Sequence, residues 1–300
     1  MTTEPATSAL ELGNGHFRYR ARGKTIFQGE LENLPIPTGT VSTTEAVEAM
    51  HEDGYVIFPG VLSPQEVKDL KAYYDAQGGP DENYVVKDWC FNKHLPLDFP
   101  NDPKLLKYID QPGIVDVADA IHDVPDYPHR GSVVTGGSFW ITGKGRKMGI
   151  HVDFQPMTLP ESVYHDPEVR IPICSSTAHY YLNDMRVELG PTTVIPGSHK
   201  AGRYPQDESS WHGENPKAVM VKAGDVMLFR SDIWHGAGMN SAETERRYMM
   251  QVFYASPFMT RHFPAMKYDK YWSKEVLEQA TPQQRRLLGA DMPKDKPKTK

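Results

Sequence analysis

Apolar positions along this chain follow two spacings, and the change comes near residue 131. Ahead of it the spacing is helical. Ser42-x-x-Glu45 has capping-box form before Ala46, Val47 and Met50, which predicts a helix ended by Gly54. Tyr55-Val56-Ile57-Phe58 is a short apolar run before Pro59-Gly60 and reads as a buried strand with a turn. Ser63-Pro64-x-Glu66 opens a second helix, with proline suited to its first position, Val67, Leu70 and Tyr74 on one face, and Gly78-Gly79-Pro80 as its stop. A further helical stretch is expected over 103–123, broken at Pro112-Gly113. Beyond 131, β-branched and aromatic runs recur between Gly/Pro turns at 133–141, 173–182, 192–196, 218–222, 226–230 and 247–255. Many short strands at that interval predict a sandwich or barrel rather than alternating strand and helix.

The ends carry less signal. Residues 1–40 are expected to be an irregular extension, with Phe17-Arg18-Tyr19-Arg20 as a possible edge strand. A helix is expected from 268 to about 288, and 291–300 as a disordered tail. Without internal repeat or linker, residues 41–290 read as a single domain, a β core behind an N-terminal helical layer.

Composition narrows the partners. A chain of 300 residues with 39% apolar and 24% charged positions has material for a sizeable core. The net charge of −6 offers no basic field for phosphates, which argues against nucleic acid or an anionic membrane surface. No run of about eighteen apolar residues is present, the length needed to span a bilayer. Cys90 and Cys174 stand far apart in no metal-binding spacing and are expected as free thiols. The N-terminus lacks the basic-then-apolar layout of a secretory signal, so a cytoplasmic location is the expectation.

The chemistry concentrates in His151-Val152-Asp153. Side chains two apart on a strand share a face, so this imidazole and carboxylate can aim into one cavity. A second, distant imidazole would complete two His and one carboxylate, the set that holds one face of a non-haem Fe(II) and leaves positions open. His199 and His235 compete for that place. His199 lies in the Gly/Pro-rich turn Ile195-Pro196-Gly197-Ser198-His199 and suits a local hydrogen bond. His235 follows a turn and an apolar strand, which can return a late strand beside an earlier one, and it is the choice. Arg246 and Arg247 open the final strand. Strand alternation turns one inward and the other outward, without saying which.

These residues resemble the phytanoyl-CoA dioxygenase-like Fe(II)/2-oxoglutarate oxygenases over roughly 44–256. The likeness runs through Asp53-Gly54-Tyr55-Val56-Ile57-Phe58-Pro59-Gly60, His151-Val152-Asp153, Leu182-Asn183-Asp184, Gly190-Pro191-Thr192, Ile195-Pro196-Gly197-Ser198-His199, Gly224-Asp225, His235-Gly236, Asn240-Ser241 and Arg246. The resemblance implies a mainly β fold with flanking helices, a double-stranded β-helix or cupin-like jelly roll. It implies iron on His151, Asp153 and His235, with 2-oxoglutarate and O₂ as co-substrates and succinate as a product. By its offset from His235, it assigns Arg246 to the distal carboxylate of 2-oxoglutarate. Two positions depart from the family pattern. Ala237 stands where relatives often carry a hydroxyl, and His179 where an aromatic is common; His179 either touches the co-substrate or lines the barrel. Retention of Asp153 disfavours halogenation.

The expected substrate is a small, apolar specialised metabolite, hydroxylated or desaturated, with Trp89, Phe139, Trp140, Phe154, Met157 and Trp211 as lining candidates that also suit plain core packing. Net acidity makes a CoA ester less attractive. A non-catalytic cupin-like barrel that binds metal or ligand is the alternative, and a zinc hydrolase a second; neither has a use for the arginine.

Overall fold

The structure is a computed structural model that describes residue 27 and residues 29–77, 93–99, 101–126, 130–262 and 272–290. The expected edge strand at 17–20, the helix stop at 78–80, Trp89, Cys90 and the tail from 291 lie outside the described residues.

In chain order the elements are α1 (Thr43–Glu52), β1 (Tyr55–Phe58), α2 (Pro64–Ala76), β2 (Lys93–Pro96), a 3-10 helix (Pro103–Tyr108), α3 (Ile114–His122), β3 (Val133–Thr142) and β4 (Met148–His151). They continue with α4 (Glu161–Tyr164), β5 (Ser175–Tyr181), β6 (Thr192–Val194), β7 (Lys217–Ala218), β8 (Val226–Arg230), β9 (His235–Ala237) and β10 (Arg247–Ala255). Three short helices close the list: α5 (Pro257–His262), α6 (Lys274–Gln279) and α7 (Pro282–Leu287). The two N-terminal capping boxes form as the sequence predicts, with Ser42 and Glu45 closing α1 and Ser63 and Glu66 closing α2. The stretch 103–123 breaks at Gly113, whose positive φ of 78° suits the turn into α3. The C-terminal helix divides into α6 and α7 because Pro282 starts a new helix behind its own cap, Thr281.

Among the described residues, ten strands form two sheets. The larger has the order β1-β8-β5-β10-β3-β2 and the smaller β4-β9-β6-β7. Every pair runs antiparallel. Inner-face residues of the large sheet (Tyr55, Ile57, Trp140, Tyr181, Met227, Phe229 and Met249) share one core with Val194 of the small sheet. This is the double-stranded β-helix, with the inter-sheet space as its barrel interior. On the outer face, Phe139, Tyr180, Val252 and Tyr254 pack under α1, α2 and α3 in a second, larger core. The barrel also takes in residues ahead of 41, since Asn33 bridges Ala218 and Leu34 is buried in the inter-sheet core.

Candidate active site

The metal-ligand candidates meet where β4 and β9 pair. His151 is the last residue of β4, and its direct cross-strand partner is His235, the first residue of β9. Their ring centroids lie 4.2 Å apart. The β4–β9 ladder carries an irregularity between Met148 and His151, and Gly236 lets the two backbones close there. A Cβ on Gly236 would stand 2.9 Å from the Met148 carbonyl oxygen. Asp153 lies just beyond the strand, and Phe154 N–H, donating to the Ser231 carbonyl at 3.0 Å, ties it to the loop that carries His235.

The donor atoms converge. His151 Nε2 lies 3.8 Å and His235 Nε2 3.6 Å from the same Asp153 oxygen, Oδ1. One ligand atom from each of the three residues falls within 4.8 Å of the others, the only such His/Cys/Asp/Glu group among the described residues. The other ring nitrogens decide the protonation. His151 Nδ1 sits 2.8 Å from the Gly149 carbonyl and His235 Nδ1 3.0 Å from that of Ile233, so each Nδ1 donates. Both Nε2 lone pairs then face the common centre, the arrangement in which imidazoles bind metal. On the far carboxylate oxygen, Thr177 Oγ1 approaches Asp153 Oδ2 at 3.4 Å. Burial works against a charged Asp153, yet the His235 and His151 rings outweigh it and hold the carboxyl well below the usual range. Burial likewise opposes a charged His235, and the Asp153 carboxylate reverses that and raises it. Two imidazoles with one carboxylate on a common centre fit a divalent transition metal.

Behind the triad the loop into β9 is rigidly held. Trp234 is fully buried, its N–H donating to Ser198 Oγ at 2.9 Å and its indole N–H to the Arg203 carbonyl at 3.1 Å. His199 belongs to this support and not to the triad: it is buried, with Nε2 donating to the His51 carbonyl at 3.0 Å.

The arginine pair turns opposite to what the resemblance implies. Arg247 is 2% exposed and donates to the Gly190 carbonyl, whereas Arg246 is half-buried and donates to the Thr244 carbonyl at 3.2 Å. Regular β structure begins at Arg247, so Arg247, Met249 and Gln251 take the inner face, opposite Thr142, Trp140 and Ser138 of β3. The Arg247 charge reaches His179 and Tyr181 of β5, while that of Arg246 reaches Tyr248 on the outer face. The acceptor of Arg247 is itself held close. Gly190 has φ 63°, and a Cβ there would lie 2.3 Å from the Gly238 carbonyl oxygen.

The remaining candidates divide. His179 is buried on the inner face of β5, as is Trp140 on β3. Phe139 points the other way and stacks on Tyr74 in the helical core. Trp211 packs on the cluster around Trp234, and Met157 is exposed. Phe154 packs with Phe258 on a small apolar cluster of Cys174, Ala255 and Met259 that borders Asp153. Thr177, Ser138 and Gln251 escaped the sequence reading. Their one signal was polar residues at alternate positions of otherwise apolar strands. A groove of about 550 Å³ lies between α2, the 3-10 helix and α6–α7, and none of its lining residues belongs to either sheet.

Comparison with known proteins agrees with this layout. The family phytanoyl-CoA dioxygenase (PhyH) matches residues 50–248. Dioxygenase andF of Emericella variicolor is 27% identical over 168 residues, 52% of this chain and 53% of that protein, so the chain spans about half the length of that relative. Dioxygenase af480 of Aspergillus fumigatus is 26% identical over 269 residues, 83% of this chain and 77% of that protein. Among solved structures, the non-heme alpha ketoglutarate dependent carbocyclase SnoK from nogalamycin biosynthesis superposes with a TM-score of 0.53 at 22% identity, covering 73% of this chain and 87% of that one. HygX from Streptomyces hygroscopicus, solved with nickel and 2-oxoglutarate bound, gives a TM-score of 0.53 at 16% identity, covering 73% and 89%. At these identities the solved structures speak to the fold, which they share.

Proposed function

This chain belongs to the phytanoyl-CoA dioxygenase family, and from that premise we propose that it is an Fe(II)- and 2-oxoglutarate-dependent oxygenase acting on a small, apolar specialised metabolite. The observation that carries the reading is a set of three convergent donors, His151, Asp153 and His235, in the same barrel interior as a buried guanidinium, that of Arg247. His151, Asp153 and His235 would hold the metal, with both imidazoles set in the binding tautomer by the carbonyls of Gly149 and Ile233. Fe(II) held there would supply the chemistry that converts 2-oxoglutarate and O₂ to succinate and CO₂ with oxidation of a substrate C–H bond.

The rest is positioning. Arg247, rather than Arg246, receives the distal carboxylate of the co-substrate. A fixed fork of N–H donors in a water-poor barrel binds a carboxylate with a strength it would not have at the surface. Thr177 steadies Asp153 through its outer oxygen. Phe154, next to Asp153 in the chain, packs with Phe258 against Cys174, Ala255 and Met259, and this apolar neighbour of the triad supports an apolar substrate. The net charge of −6 favours a specialised metabolite over a polyanionic CoA ester. A binding-only barrel has no need of a buried cation in this place.

The test is anaerobic addition of Fe(II) and 2-oxoglutarate to the purified protein. The expected result is a weak visible charge-transfer band, followed by succinate on admitting O₂. Absence of both, or turnover that persists with zinc and without O₂, sinks the proposal.

A further inference from the structure

The barrel opens beside Asp153. Of the three ligand candidates its side chain is the most exposed, 21% against 5% for each histidine. Thr177 adjoins it on the inner face of β5, with Oγ1 3.4 Å from Asp153 Oδ2. Directly across from Thr177, on β10, stands Phe253. Residues opposed in an antiparallel pair share a face, so the Phe253 ring points into the barrel as Thr177 does. Deeper along the same face of β10, Arg247, Met249 and Gln251 are buried. Phe253 is the first inward residue of that strand to be partly exposed.

A single exposed phenyl on an outer surface needs no explanation. This one lies on the inner face of a barrel, and it belongs to none of the four apolar clusters among the described residues. Its other cross-strand partner, on β3, is Gly136, which places no side chain beside the ring. Thr135, Gly136 and Gly137 are partly exposed as well, so the opening continues over this part of β3. The register shifts just past the Phe253–Gly136 pair and leaves Thr135 as the extra residue of a bulge. Bulges beside active sites re-aim side chains. The result is a slot with a phenyl ring on one side, glycine backbone on the other, and Asp153 reached through Thr177 at its inner end.

Resting on the oxygenase reading above, we infer that Phe253 is the residue against which the substrate lies, and that the substrate presents to it a planar ring, aromatic or conjugated, over the backbone of Gly136. Two rings pack offset or edge-on, and such a contact is worth more than the apolar area it buries. A puckered, saturated skeleton of the same size fills the slot less closely. A flexible chain gains nothing from a ring and loses rotamer freedom on binding. Gly136 sets the width, because any side chain there would take the space of the substrate ring.

The experiment titrates 2-naphthol and its saturated counterpart, decahydro-2-naphthol, into protein loaded with zinc and 2-oxoglutarate, read by calorimetry. The two probes share a carbon skeleton and differ in flatness. The native protein is expected to bind the planar probe at least about threefold more tightly. Phe253→Leu, which stays apolar and loses the ring, should bring that ratio to about one, and Phe253→Tyr should keep it. Gly136→Val should weaken both probes about tenfold or more. Zinc affinity, read by competition with a chelator, should be unchanged in all three variants, which separates loss of the slot from damage to the triad. Equal or undetectable affinity for the two probes in the native protein, a preference that survives in Phe253→Leu, native-like binding in Gly136→Val, or zinc affinity lost together with the preference overturns the inference. No charge-transfer band on adding Fe(II) and 2-oxoglutarate sinks the oxygenase reading instead, whichever probe binds.

Discussion

The two faces of β10 carry opposite chemistry one residue apart. Outward, Met250, Val252 and Tyr254 pack under the helices, and the hydroxyl of Tyr254 is spent on the Ile109 carbonyl at 3.0 Å. Inward, Arg247 and Gln251 sit in the barrel with His179, Thr177 and Ser138 around them. Both faces are largely buried, so burial alone does not distinguish them. On the outer face the Tyr180 hydroxyl donates to the Tyr108 carbonyl at 2.9 Å, while the buried hydroxyls of Tyr74 and Ser176 have no hydrogen-bond partner among the described residues. The inner face gathers its charged and polar side chains around the metal-ligand candidates: Thr177 reaches Asp153, and Gln251 reaches His179. A face that packs a core is made of apolar side chains with a few polar tips, whereas a face that binds something concentrates charge and polar groups in one place.

That contrast breaks most sharply at the triad. Asp153→Ala should remove metal binding and turnover to background while the thermal unfolding midpoint stays near the native value, because the outer core is untouched; metal titration beside a melting curve checks both. The converse substitution, Phe139→Ala, acts on the outer face of a neighbouring strand. It should cost about 3–5 kcal/mol of stability by denaturant unfolding, with the donor set still able to bind metal in the folded fraction. Next comes the arginine pair. Arg247→Ala is expected to raise the 2-oxoglutarate requirement on the order of 100-fold in a succinate assay, and Arg246→Ala to change it by less than about threefold. Equal effects would mean that the two faces are not separated at the strand end. Thr177→Val removes the hydroxyl on Asp153 and should weaken metal affinity by about tenfold, read by competition with a chelator. The smallest effect belongs to the outer face: Tyr254→Phe should destabilise by about 1 kcal/mol and leave metal and co-substrate binding unchanged.

Most elements were legible because their signals are local. Ser42-x-x-Glu45 and Ser63-Pro64-x-Glu66 cap helices through contacts three residues apart, and β10 begins and ends where the apolar run does. The short strands β4 and β9 were not legible as strands. Four and three residues long, they carry no periodicity of their own and exist because they pair with each other and with β6. The iron-ligand candidates stood out through residue type and order. The arginine did not, because alternation turns one of Arg246 and Arg247 inward without saying which, and only the offset in the resemblance chose Arg246; both faces of β10 are largely buried, so polarity along the strand offers no rule.

The chain's order of residues alone established that one strand-rich unit would carry His151, Asp153 and a later histidine, since spacing, caps and apolar runs are properties of neighbours along the chain. Which arginine enters the barrel and which residues back the ligand candidates were left to the folded molecule. Each of these depends on where an antiparallel register begins and on what lies across it, and register is set by the packing of both sheet faces at once.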